Sequence, residues 1–294
     1  MKPEAGQTAR RRIFLETSGV IYHRHGHSLM QAEVQRAVGN GLLEVSNFIR
    51  MEYLRGVVVN LIELYFLIKE SESVSDALID WSQKVAQERK LKIVLMTMHQ
   101  WLVGHEDWQD KEKSQRRLGN LAVRLVYDFD DIFTGRSKDR LKCRLGRVRF
   151  PRRAFAEEML LRFYERFKAI QASVPDCLLC DFKTKRQAEL TRKGVDLHGP
   201  AQQEKYRQNT GYVQQAERLT KALAGQHTTP KCRWCEQLGD TIIILQAPSN
   251  SVLVTADRAF EAFGEILNRE IRRLPSLARL KEQLQSPPPP VAGS

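Results

Sequence analysis

No run of this 294-residue chain is long and apolar enough to read as a membrane span. The most apolar stretch, Gly56 to Ile68, is too short and carries Asn60 and Glu63. Arg10, Arg11 and Arg12 lie near the start, but no long apolar region ahead of a cleavage site marks an export signal. A cytoplasmic location is therefore expected, with the nucleus as the alternative. Cysteine is scarce: five residues, in a chain without export features, argue against a disulfide framework. Acidic side chains are outnumbered. The net charge of +12 favours a polyanionic partner, nucleic acid first among them. A membrane surface is disfavoured as that partner, because no basic amphipathic helix carries exposed aromatics. There is no internal repeat.

What is present is a chain able to fold around a core, with 42% hydrophobic residues, and with its charge unevenly spread. Between Arg136 and Arg153 nine basic residues stand against one acid, Asp139. They are Arg136, Lys138, Arg140, Lys142, Arg144, Arg147, Arg149, Arg152 and Arg153, and they form the expected phosphate contact, with Phe150 available to stack on a base. The alternative is a solvated loop that pairs with acids elsewhere.

Residues 12–68 read as strand, loop, helix, short strand and long helix. Ile13–Leu15 and Leu42–Val45 are the strands, His27–Val38 the first helix, and Ser46 the N-cap of a helix from Phe48 to Ile68. The middle is charged and mostly helical, over Asp76–Gln87, Ile93–Val103, Lys113–Phe133 and Arg153–Ala172. Lys183–Gly225 is polar, a helical hairpin with little core of its own. The α/β character then returns, with a helix over Asp240–Gln246, a strand over Ser251–Val254 and a helix over Arg258–Arg272. The tail from Ser286 is a polyproline stretch expected to be disordered. One α/β domain split by a long basic insertion is the expected architecture.

Four acids stand out at the ends of these segments. Glu16 follows the first strand and Asp257 the last one, which places both at the carboxyl edge of a sheet, where open α/β folds hold their ligands. Glu52 and Asp240 lie on or beside apolar helices. Four carboxylates in one cleft would repel one another unless cations sat between them, and Mg²⁺ or Mn²⁺ is the usual answer. The competing explanation is that each acid is a helix-start charge.

The residues carrying these acids resemble PIN domains. Ile13-Phe14-Leu15-Glu16-Thr17-Ser18 is similar to that family's opening strand and turn, and Val45-Ser46 with Glu52 to its second motif. Gly239-Asp240, followed by Val254-Thr255-Ala256-Asp257-Arg258-Ala259-Phe260, is similar to its closing motif, with the two aspartates 17 residues apart. The likeness covers residues 12–68 and 238–272. It implies a three-layer α/β/α fold with a mainly parallel central sheet, made from residues 1–69 and 238–285 and interrupted by an insertion over 70–237. It further implies a divalent-metal-dependent nuclease, acting on RNA in preference to DNA, with Glu16, Glu52, Asp240 and Asp257 as metal-binding catalytic acids. Ser18 and Thr255 would support metal or phosphate. Such domains often pair, so a homo-oligomer stays open. A catalytically inactive module that binds RNA or a protein is the alternative. The first acid departs from the family's usual Asp, and the extra methylene moves the carboxylate out by about 1.5 Å.

Cys177-x-x-Cys180 and Cys232-x-x-Cys235 read as two knuckles that would together complete a tetrahedral thiolate site for a structural zinc, a redox pair or buried free thiols being the alternatives. The 51 intervening residues would make that zinc a clamp across an excursion. Such a site leaves no open coordination position, and Cys143 stands apart from it. His23, His25 and His27 alternate around Gly26 in an expected loop and should be exposed. Asp128, Asp130 and Asp131 lack the glycine and later Glu of a calcium loop and read as a surface patch.

Overall fold

A computed structural model describes residues 11–85, 92–133, 135–136, 145–173, 197–201, 203–223 and 238–285. It is an α/β protein dominated by helix. Among the described residues five strands form one wholly parallel sheet: β1 (Arg12–Leu15), β2 (Leu42–Val45), β3 (Gly135–Arg136), β4 (Ser251–Thr255) and β5 (Ile271–Arg273), in the order β3-β2-β1-β4-β5. β1 is central and pairs Ile13 with Leu43 on one side and with Val252 on the other. Both neighbours of such a strand are parallel, so it is covered on both faces and reads as a continuous apolar run. Ile13, Phe14 and Leu15 are accordingly buried, as is all of β4.

β1 leads directly into helix α1 (Thr17–His25), then α2 (Ser28–Val38) with His27 as its N-cap. The loop expected after the first strand is thus a helix. Glu16 caps it, and its course presses Gly19 against β4, where an added Cβ would meet the Val254 carbonyl oxygen at 3.1 Å. His25 is consequently buried rather than exposed, its ring bonded to the Tyr53 hydroxyl at 2.9 Å.

The long helix after β2 starts where its cap requires. Ser46 Oγ accepts from the Ile49 amide at 3.2 Å, as a serine N-cap should. It runs as α3 (Asn47–Tyr53), a π-helical stretch over Leu54–Val59, and α4 (Asn60–Glu70). The Asn60 amide donates to the Arg55 and Gly56 carbonyls, which satisfies groups that the wider π turn leaves over. Apolar residues bury almost every side of this helix, so it forms the spine of the fold. Against it pack α5 (Val74–Val85) and α7 (Lys111–Ile132), with α6 (Lys92–Val103) next to α5 and α1, and α8 (Glu157–Ser173) tied on by the Tyr164–Glu63 hydrogen bond.

Two expectations in the last third need correcting. The described part of the polar segment forms short helices α9 (His198–Ala201) and α10 (Glu204–Arg207), then α11 (Thr210–Leu223). It has a core after all, borrowed from the sheet domain: Tyr212 is fully buried edge-on against Phe263 at 5.0 Å. The helix expected over Arg258–Arg272 is α13 (Ala259–Ile266) alone, after α12 (Gly239–Gln246). Asn268 turns the chain at φ 50°, a left-handed conformation that Asn tolerates. The following residues then pair with β4, through Leu253 N–H to the Glu270 carbonyl and Leu274 N–H to that of Thr255. The open edge of β4 outweighs the helical period of the segment. Helix α14 (Leu277–Gln285) follows. Among the described residues no helix is long and apolar enough to cross a membrane.

Candidate functional site

Strand order reverses between β1 and β4: the chain moves outward from β1 through β2 to β3 on one side, and from β4 to β5 on the other. At such a point the carboxyl ends of the two strands open a crevice, the usual ligand position of an open parallel sheet. Glu16 is the first residue past β1 and Asp257 the second past β4, so both stand at this crevice. Glu52, on α3, is bonded to Thr17 next to Glu16, and Asp240 lies in the first turn of α12, after the Gly239 that packs on Glu52.

Glu16 and Asp257 are joined by hydroxyls. One Glu16 oxygen, Oε2, accepts from the Ser18 amide at 2.9 Å, from the Ser18 hydroxyl, and from the Thr255 hydroxyl at 3.1 Å. Ser18 Oγ in turn accepts from the Ala256 amide at 3.0 Å, and Thr255 Oγ1 from the Asp257 amide at 2.9 Å. Asp257 Oδ1 accepts from the Ala259 amide at 2.9 Å, just ahead of α13. Glu is not a favoured N-cap residue. Here its extra methylene lets the carboxylate fold back onto α1 while still reaching across to β4. At 3% exposure its charge lies inside the protein. Burial and that charge together push the half-buried Tyr22 phenol upward from its ordinary value.

Glu52 and Asp240 are held separately, on α3 and α12. Thr17 donates its hydroxyl to Glu52 Oε2, so the consecutive residues Thr17 and Ser18 reach both halves of the site. Gly239 lets α12 close on α3, since a Cβ there would lie 2.9 Å from Glu52 Oε1. Asp240 Oδ2 accepts from the Gln215 amide at 3.4 Å, and Gln215 Oε1 accepts from the Thr241 hydroxyl at 3.3 Å. Gln215 lies on α11, in the polar segment expected to have little core of its own. Nothing in its polar, glutamine-rich surroundings distinguishes it. Thr17 sits inside the first motif, and its adjacency to Ser18 is the signal that could have singled it out.

No protein-family model matches the chain, and neither a curated protein nor a solved structure is similar to it.

Among the described residues no three His, Cys, Asp or Glu side chains gather into one metal cage. Mg²⁺ does not need one: it keeps several waters and takes one or two carboxylates beside substrate phosphates. Carboxylates flanked by hydroxyls, as at Glu16 and Glu52, fit that ion, and its Mn²⁺ counterpart, in donor type.

The basic segment is attached to the same spine from the other side. Arg50, only 1% exposed, reaches Asp130 Oδ1 at 2.8 Å and Oδ2 at 3.2 Å, and the Gly146 and Val148 carbonyls at 2.8 Å each. Gly146 passes so near α3 that a Cβ would overlap the Asn47 carbonyl oxygen at 1.9 Å. Asp130 is thus the partner of a buried guanidinium, while Asp128 and Asp131 pair with Arg24 and Arg153; the acidic cluster is a set of ion pairs, not a bare surface patch. Arg147, Arg149, Arg152 and Arg153 are exposed. Arg153 lies over the Tyr127 ring at 4.9 Å. Phe150 is not available to a base: it is 3% exposed and stacked on Phe163 at 4.3 Å. Arg136 ends β3. Lys138, Arg140, Lys142, Arg144, Cys143 and the four cysteines Cys177, Cys180, Cys232 and Cys235 lie outside the described residues.

Proposed function

We propose that the chain is a PIN-like, divalent-metal-dependent nuclease that hydrolyses phosphodiester bonds, RNA before DNA, with residues 70–237 as a zinc-stapled basic insertion that grips the strand. The observation that supports this reading is the placing of Glu16 and Asp257 just past the carboxyl ends of β1 and β4, with Glu52 bonded to Thr17 beside Glu16 and Asp240 following the glycine that packs on Glu52. Helix-start charges scattered by chance would not place Glu16 and Asp257 at adjacent strand ends and tie Glu16 and Glu52 to the consecutive hydroxyls of Ser18 and Thr17. Mg²⁺ or Mn²⁺ held there would supply a water of lowered pKa for attack on phosphorus. The residues do the rest. Thr17 holds Glu52 in place and Ser18 and Thr255 hold Glu16, and a carboxylate takes up the proton of the attacking water. The exposed arginines hold the phosphates. Cys177, Cys180, Cys232 and Cys235 would bind one structural zinc per chain, measurable by metal analysis.

The test is cleavage of labelled single-stranded RNA and DNA with Mn²⁺, Mg²⁺ or EDTA, beside Asp257→Asn. Asn keeps an oxygen acceptor for the Ala259 amide, so that variant should keep α13 and its fold. Metal-dependent cleavage lost in Asp257→Asn is expected; cleavage that persists without divalent metal sinks the reading. A second reading, a module that binds RNA without cutting it, draws on the Glu16 geometry: three donors already converge on one of its oxygens. It expects salt-sensitive binding, no turnover, and no gain from Glu16→Asp.

A further inference from the structure

Beyond the carboxylate crevice, a groove of about 450 Å³ runs between residues 149–152 and helix α8. Four guanidinium groups line it: Arg149 and Arg152 from the segment leaving the basic run, Arg162 and Arg166 from α8. Its floor is apolar, made by Phe150, Phe163 and Met159, all buried. Arg162 is held by Glu158, one helical turn back, in a fully solvated pair that a phosphate can replace. Arg149 reaches toward Asp130 at 3.6 Å with its side chain about half exposed. Among the described residues Arg152 and Arg166 have no acidic partner.

This concentration of arginine is more than solubility asks for. Arginine presents a planar fork of donors matched to phosphate oxygens. A floor whose rings are already buried against each other offers no free face to a base, so what the groove can read is charge and spacing along a backbone. Its volume lies within the range of small-ligand sites, enough for one or two nucleotides and not for a folded partner.

The groove is also separate from the carboxylates. Arg50 anchors its near wall, whereas Glu52 faces Thr17 and Gly239. Two positions apart on a helix are about 200° apart around its axis, so the two sites lie on opposite sides of α3.

We propose that this groove is a sequence-independent binding site for the sugar–phosphate backbone of single-stranded nucleic acid, held by Arg149, Arg152, Arg162 and Arg166 at a point remote from the carboxylate crevice. It rests on the reading of the chain as a nucleic-acid protein and not on catalysis. The Arg162 and Arg166 contributions are the new element, since both stand outside the basic run.

The experiment is fluorescence anisotropy with labelled oligouridylate and oligothymidylate, using the full zinc-loaded chain without added Mg²⁺ or Mn²⁺, over a series of salt concentrations. The wild type is compared with Arg162→Ala/Arg166→Ala and with Arg162→Lys/Arg166→Lys. Each phosphate contact to a single strand contributes about 0.7 to the slope of log K against log salt. Losing two should lower the slope by about 1.4 and weaken binding at least tenfold at low salt, equally for both oligonucleotides, and the lysine pair should restore the slope. All of these side chains are exposed, so circular dichroism should be unchanged. If the wild type binds neither oligonucleotide, the nucleic-acid reading falls and this inference with it. If the wild type binds and the alanine pair has the same slope and affinity, the groove inference alone falls. Loss of polyglutamate binding in the alanine pair, with oligonucleotide binding intact, would assign the groove to an acidic peptide and overturn it as well.

Discussion

Glu16→Gln separates the two roles that one residue plays. The glutamine has the same length and shape, so its amide oxygen can still face Ser18 and Thr255, whose donors now converge on Glu16 Oε2. What changes is charge. A hydrogen bond to a charged acceptor is worth about 1.5–3 kcal/mol and a neutral one about 0.5–1.5, so three weakened bonds cost roughly 3–4.5 kcal/mol before any offset. Relief of a buried charge offsets part of this, since a carboxylate at 3% exposure is poorly hydrated in the folded chain. A net loss of about 1–2 kcal/mol is expected, a shift of the urea midpoint by roughly 0.5 M at unchanged slope. Circular dichroism reads that part. The other part is read by cleavage of labelled RNA across a Mn²⁺ titration, where removing one of four carboxylates should abolish turnover. Should the midpoint fall as expected while the rate at saturating Mn²⁺ stays within twofold, Glu16 is a helix cap and nothing more. The carboxylate-site reasoning would then be refuted at its first residue.

Three further perturbations test other joints of the fold. Arg50→Met leaves Asp130 and the Gly146 and Val148 carbonyls without their buried guanidinium and should cost about 3–5 kcal/mol by denaturant unfolding; a loss below 1 kcal/mol would mean that water already reaches this ion pair. Gly239→Ala should leave stability within about 1 kcal/mol, since alanine favours a helix start, yet displace Glu52 and cut activity tenfold or more; unchanged activity would show that Glu52 tolerates displacement. His25 is held neutral, its imidazole pushed down to about 4 by burial and then by Arg24, from an ordinary value of 6.5. The unfolded chain therefore binds the extra proton first. The contribution of this site is complete above about pH 6.5 and is lost as pH falls toward 4, an effect of about 3 kcal/mol. His25→Phe should be less stable at pH 7, where the Tyr53 hydroxyl loses its partner, but flatter in its melting temperature between pH 7 and 4.5; an equally steep profile would place the pH dependence elsewhere.

The parts of this architecture that were legible in the sequence are those fixed locally. β1 and β4 are short apolar runs bounded by polar residues, and Ser46 caps its helix with its own side chain. The four carboxylates were legible as positions relative to those elements. Three features were not, each because a distant partner decides it. Helix α1 looks like a loop from Gly19, Gly26 and three alternating histidines, until Glu16 caps it and β4 receives Gly19. β5 has the apolar spacing of a helix, and only the vacant edge of β4 makes it a strand. Gln215 reaches Asp240 from a helix seated on Phe263 by Tyr212, and no local pattern reports that docking. Phe150 shows the reverse error, since an aromatic within a basic run invites a stacking role, while the packing of α8 had already claimed the ring.

Helix α3 is where these observations meet. Its cap and burial hold it rigidly against the sheet, one face giving Glu52 to the crevice and the other giving Arg50 to the basic segment. Directly after it the helix widens into the π turn over Leu54–Val59, whose carbonyls Asn60 satisfies. An extra residue in a turn rotates everything before it relative to everything after, so the π segment sets the angle at which α3 presents both side chains with respect to α4. Stability alone would not ask for this, because a regular α-helix makes the better hydrogen bonds. Asn60→Ala removes the side chain that compensates those carbonyls. It should cost about 1–2 kcal/mol in unfolding, and it should also impair the carboxylate crevice and the arginine groove together, although Asn60 belongs to neither. Loss of stability with both functions intact would show that the π turn is a local irregularity of packing and that the two faces of α3 are set independently of it.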